Sequence, residues 1–90
     1  MKHYELERYY KALGNRRRLE IILLLNKHGA TCVTDIALGI KLSIKSTHKH
    51  LTNLYNIGFL IKNRRANVVY YNLSDELNSC HNQLLKPLIP

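Results

Sequence analysis

The stretch Leu42-Ser43-Ile44-Lys45-Ser46-Thr47-His48-Lys49-His50-Leu51-Thr52-Asn53-Leu54 decides how this chain folds. Ser43 is a strong helix N-cap and Gly58 is the next break, so the pattern predicts a helix over about 44–56. At about 100° per residue, Thr47, Leu51 and Leu54 fall on one side, which must face a core. Lys45, Lys49, Thr52 and Asn53 lie opposite, with Ser46 and His48 on the flanks. An exposed helix face of cations and short hydrogen-bonding side chains suits a major groove about 12 Å wide. Lysine donates to guanine O6 and N7, asparagine reads adenine, and lysine also neutralises phosphate. Ser43, Lys45, Ser46, His48, Lys49, Thr52 and Asn53 are therefore the candidate DNA-reading residues of this helix.

Upstream, Val33, Ile36, Ala37 and Ile40 have the spacing of a short helix, roughly 34–40, with Lys41-Leu42 as the turn. Thr31 to Val33 reads as a small strand. Before it, Leu19, Ile22 and Leu23 form a stripe that Ile21, Leu24 and Leu25 widen. Such breadth marks a central core helix from about Arg16 to His28, capped by Asn15 and stopped by Gly29. Arg16, Arg17 and Arg18 occupy its first turn, where the helix dipole disfavours cations. Contact with flanking phosphates would account for that departure, and so would long arginine stems that cover apolar surface. A first helix, about 3–13, carries the stripe Leu6, Tyr9, Tyr10, Leu13 and ends at Gly14.

Downstream of Gly58 the period changes. Phe59–Asn63 and Val68–Leu73 are rich in β-branched and aromatic residues and flank the polar Arg64-Arg65-Ala66-Asn67. This is a hairpin with a basic tip, in which Asn67 is the natural residue for a positive φ. Lys62, Asn63, Arg64, Arg65 and Asn67 are the candidates to reach phosphates or the adjacent minor groove. Ser74 caps a last helix, about 75–86, with Leu77, His81, Leu84, Leu85 and Leu88 as its apolar stripe. The order is helix, helix, short strand, helix, helix, hairpin, helix. This is a mainly α, α+β winged helix-turn-helix, with 1–90 as one domain.

Composition agrees. Ninety residues are short of one typical domain length, and the formal charge is +8. Residues 36–74 hold six lysines and arginines and no carboxylate, which suits a polyanion. No apolar run approaches the roughly 18 residues of a membrane span, and residues 1–5 show no signal-peptide core. No phosphate-binding glycine loop, zinc-protease motif or nucleophile elbow appears, so no catalytic residue, cofactor or small-molecule substrate is assigned. Cys32 and Cys80 lie too far apart in sequence for a small disulfide scaffold. Free thiols in a reducing, cytoplasmic setting follow, each cysteine serving as a small apolar residue, with a thiol switch as the alternative. The apolar stripes of the terminal helices exceed what so short a chain can cover alone, so the expected partners are double-stranded DNA and a second copy of the chain, with no membrane.

Three segments carry a family resemblance. Ala12-Leu13-Gly14-Asn15-Arg16-Arg17-Arg18-Leu19-Glu20-Ile21-Ile22 is similar to the second-helix opening of ArsR/SmtB-type repressors, Ala-Leu-Gly/Ser-Asp/Asn-x-x-Arg-Leu-x-Ile-Leu. Residues 42–54 resemble that family's recognition helix, Leu-Ser-x-Ser-Thr-Val-Ser-x-His-Leu-x-x-Leu. Gly58-Phe59-Leu60 and Val69-Tyr70-Tyr71-Asn72-Leu73 resemble its wing strands, so the likeness covers about residues 10–76. It implies a homodimeric, nucleoid-associated transcriptional repressor on inverted-repeat DNA, with the first and last helices forming the dimer interface. The residues expected there are Leu6, Tyr9, Tyr10, Leu13, Leu77, His81, Leu84, Leu85 and Leu88. The chain departs from the family at the metal-sensing Cys-Val-Cys, where it has Cys32-Val33-Thr34, and at the turn glycine, replaced by Lys41. Cys80 and His81 are adjacent, and His48 and His50 point to different sides of one helix. Neither pair builds the four-ligand site that zinc needs, so no metal residue is assigned. Two other readings use the same features. One is a sequence-independent architectural DNA binder, the other a winged helix used to bind protein.

Overall fold

The structure is a computed structural model that describes Glu7 and residues 10–75. Residues 10–13 are helical, and the chain turns at Gly14, whose N–H donates to the Tyr10 carbonyl at 2.9 Å. Asn15 then takes an extended conformation and its side chain accepts from the amides of Arg17 and Arg18, at 3.0 and 3.2 Å. This cap starts α1 (Arg16–His28), and Gly29 ends it at φ 76. The β1 strand (Thr31–Cys32) passes directly into α2 (Val33–Ile40), followed by α3 (Ile44–Asn56), β2 (Leu60–Arg65) and β3 (Val68–Leu73). The sheet is antiparallel in the order β1-β3-β2. Together these elements form a winged helix-turn-helix.

The predicted boundaries shift at two places. Val33 belongs to α2, because Cys32 already takes the extended N-cap geometry that begins that helix. Arg64 and Arg65 are strand residues, paired with Val69 and Val68, so the hairpin turn is only Ala66 and Asn67. Its positive φ falls on Ala66, at 54°, and not on Asn67 as the sequence suggested. The register is the reason: Arg65 opposite Val68 closes a two-residue loop, and the hairpin turns that close such loops take a positive φ at their first residue.

Two helix ends position the candidate interface. Between α2 and α3, Lys41 takes the left-handed conformation (φ 56, ψ 51). The Leu42 amide reaches back to the Ala37 carbonyl at 3.0 Å and the Lys41 amide to Leu38. This is the Schellman arrangement, with a lysine in the seat that usually holds glycine. The α3 helix closes the same way, Gly58 at φ 89 donating to Tyr55 and Phe59 to Leu54 at 2.9 Å. Phe59 is thereby driven into the core, fully buried with Ile21, Ile22, Leu25, Ile36, Leu51 and Leu54. Leu60 is buried but the rest of β2 is exposed, so the hairpin leaves the core and projects as a wing.

The α1 helix carries the predicted core stripe, with Ile21, Ile22 and Leu25 buried. Its arginines are partly structural. The Arg17 guanidinium donates to the Ile40 carbonyl at 2.7 Å, holding the end of α2. Arg16 and Arg17 both pair with Glu20, at 3.3 and 3.6 Å. A Cβ on Gly39 would lie 2.6 Å from Leu24 Cδ1, so α2 and α1 approach closely there. The Ser74 hydroxyl donates to the Gly58 carbonyl at 2.6 Å, tying the end of β3 to the start of the wing. Of the expected dimer residues, Tyr10 is 57% exposed and Leu13 is half-buried against the core. Leu6, Tyr9, Leu77, His81, Leu84, Leu85 and Leu88, and with them Cys80, lie outside the described residues. Among the described residues no helix is long and apolar enough to cross a membrane.

Candidate nucleic-acid interface

The α3 helix is amphipathic in the sense its sequence demands. Thr47, Leu51 and Leu54 are buried, while Lys45, Ser46, His48, Lys49 and Thr52 are exposed. Two hydroxyls are already engaged. Ser43 Oγ accepts from the Ser46 amide at 3.1 Å, which leaves its own proton free to donate. Thr52 Oγ1 donates to the His48 carbonyl at 3.0 Å, which leaves it an acceptor.

The two flanks of α3 differ. On one, half-buried Asn53 joins Asn56, Ile57, Lys11, Ala12 and Arg18 around a cleft of about 250 Å³. Asn53 thus sits beside α1, at the edge of the exposed face. His50 lies on this flank too. Burial and then the charges of Arg18, Lys49 and Arg17 hold its imidazole below the ordinary histidine value, so the neutral form is favoured. On the other flank, Lys62 of β2 places its ammonium 4.3 Å from the centroid of the Tyr55 ring, a cation–π contact joining wing to helix. His48 faces a groove of about 440 Å³ that Thr34, Asn67, Val68 and Tyr71 also line.

Strand alternation divides the wing's polar side chains between two faces. Lys62 and Arg64 share the face of Leu60, toward α3. Asn63 and Arg65 lie on the other face with Ile61, where the Arg65 guanidinium stands 6.0 Å from the Tyr70 ring. All four are exposed, as is Asn67 in the turn. Lys45, Lys49, Lys62, Arg64 and Arg65 therefore supply five exposed cations in a segment without a carboxylate. Such a concentration of exposed cations favours the approach of phosphates.

Sequence reading missed Tyr55, Thr34 and Val68. The Tyr55 contact depends on a pairing across elements that no local pattern encodes. Among the described residues no group of three or more His, Cys, Asp or Glu side chains converges as metal ligands do, and Cys32 is a half-buried free thiol.

Residues 15–62 match the family model described as bacterial regulatory protein, arsR family. Over 72 residues the chain is 33% identical to the cadmium resistance transcriptional regulatory protein CadC homolog of Staphylococcus aureus, covering 80% of this chain and 60% of that protein. It is also 33% identical over 70 residues to the arsenical resistance operon repressor of Bacillus subtilis, covering 78% and 67% respectively. The chain thus spans about two thirds or less of the length of these curated relatives. Its backbone is similar to the homodimeric winged helix-turn-helix DNA-binding domain of a Mycobacterium bovis protein. There the TM-score is 0.80 at 27% identity, covering 93% of this chain and 77% of that one.

Proposed function

The chain belongs to the arsR family of bacterial regulatory proteins, and on that premise we propose that it is a homodimeric, sequence-specific DNA-binding repressor of transcription. The observation that carries this reading is α3, a capped helix whose one side is fixed in the core while Lys45, Ser46, Lys49 and Thr52 face outward beside a basic wing. In such a fold the second helix of the helix-turn-helix enters the major groove and reads base edges. The wing's Arg64 and Arg65 neutralise phosphates or enter the adjacent minor groove, which positions the helix without specifying sequence.

The whole of 1–90 acts as one winged-helix unit in this reading, with segments 3–13 and 75–86 making the dimer interface. Exposed Tyr10, at the end of the first helix, and the homodimeric M. bovis domain support self-association. Binding rather than catalysis is its activity, at the nucleoid in the cytoplasm; its relatives are named as regulators. Selection of bound duplexes from a random pool tests the proposal. The expected product is an inverted repeat with half-sites about one helical turn, or a multiple, apart. A pool that binds but yields no enriched sequence would favour an architectural protein instead. Sedimentation at tens of micromolar without DNA should give a dimer, and a monomer would remove the basis for the inverted repeat.

A further inference from the structure

Ile44 is an anomaly on the recognition helix. It is the first residue of α3, it is 53% exposed, and it contributes neither to the core nor to the half-buried apolar residues packed against it. The remaining aliphatic side chains of α3, Leu51 and Leu54, are fully buried. Its only other exposed large apolar side chain is Tyr55, whose ring already carries the Lys62 ammonium. The residues around Ile44 are polar and exposed: Ser43, Lys45, Ser46 and His48. At 53% exposed, Ile44 gains only part of the free energy of burial, and a β-branched side chain gains little from helix propensity. The core cluster does not include it.

Its position suggests a role. The residues at the N-terminal end of the second helix are those that reach base edges in this class of fold. Ile44 lies one turn before His48 on the same flank of α3, and His48 lines the groove shared with the wing turn. Among the base edges of the major groove, the C5 methyl of thymine is the apolar group, and apolar side chains are its partners. We infer that Ile44 is a specificity-determining residue that packs on a thymine C5 methyl in each half-site. The inference rests on the proposed DNA-reading function of α3 and adds a base to it. The cations beside Ile44 supply affinity, and Ile44 supplies a preference that charge cannot express.

The test uses the full chain and the duplex recovered by selection from a random pool. Each thymine is replaced singly by 2′-deoxyuridine, which removes only the methyl group. Affinity is measured at fixed salt for the wild type, Ile44→Ala and Ile44→Val. At one symmetry-related position the wild type should lose about fourfold per half-site, the value of one buried methyl group. Ile44→Ala should bind the thymine and uracil duplexes equally, and Ile44→Val should keep part of the difference. A cooperative thermal unfolding transition and an unchanged far-UV circular dichroism spectrum show that each variant is folded. Thymine and uracil duplexes bound equally by the wild type, or a methyl effect undiminished in Ile44→Ala, would overturn the assignment alone. A pool without any enriched sequence would overturn the assignment together with the functional reading beneath it.

Discussion

Thr47 is fully buried among the core residues of α3, and its Oγ1 has no hydrogen-bond partner among the described residues. Thr47→Val replaces that hydroxyl with a methyl group of nearly the same size. The β-branch is kept, helix propensity barely changes, and no cavity opens. What changes is the desolvation of one hydroxyl, which costs about 1–3 kcal/mol when no hydrogen bond replaces water. The lower end applies here. The Ser43 carbonyl, one turn back, already accepts the Thr47 amide at 2.9 Å but retains a second lone pair. A gain of about 1 kcal/mol should raise Tm by about 4–8 °C in a domain of this size. In urea, the midpoint should move up with an unchanged slope, wild type and variant being compared at equal protein concentration. DNA affinity should not change, because Thr47 faces the core. Equal or lower stability in Thr47→Val would mean that the hydroxyl is hydrogen-bonded and that the account of this core position is wrong.

Lys41→Gly relieves a left-handed conformation that costs an L-residue about 1–2 kcal/mol and returns part of the gain as unfolded-state entropy; a net stabilisation of about 0.5–1 kcal/mol by urea unfolding is expected. Arg65→Ala should weaken binding to every sequence alike and reduce the salt slope by about one unit. Lys49→Ala should relax selectivity at one base pair by about 1–3 kcal/mol, as read from affinities for single-base variants. His50 gives a pH signature. Because its folded value is lowered from 6.5, the unfolded chain takes up the proton first. Stability from the neutral imidazole is therefore complete above that ordinary value and falls as pH drops below it toward the folded value. His50→Gln should flatten this part of the curve between pH 7 and 5, and an unchanged pH dependence would contradict the assignment.

Elements bounded by strong local signals were legible in the sequence. Asn15 and Gly29 bracket α1, and Ser43 and Gly58 bracket α3, each by a cap that the structure contains. The buried side of α3 follows from spacing alone. The wing was legible as a hairpin but not in its turn. Ala66 at positive φ contradicts its own propensity and is held there by ladder pairs that only the register defines. Contacts between elements were also out of reach. The three consecutive arginines look alike in sequence, yet Arg17 reaches across to Ile40. Asn53 appears on the open side of a helical wheel, but Lys11, Ala12 and Arg18 close in on its flank. A wheel gives the direction of a side chain and says nothing about which neighbouring element stands there.

The central claim is that α3 reads sequence while the wing supplies charge. Its most direct test is an equilibrium competition at one fixed salt concentration between the selected inverted repeat and a scrambled duplex of equal length and composition. Sequence-specific recognition predicts a preference of about a thousandfold or more. A ratio near one would contradict it, leaving a basic protein that holds DNA by its phosphates alone.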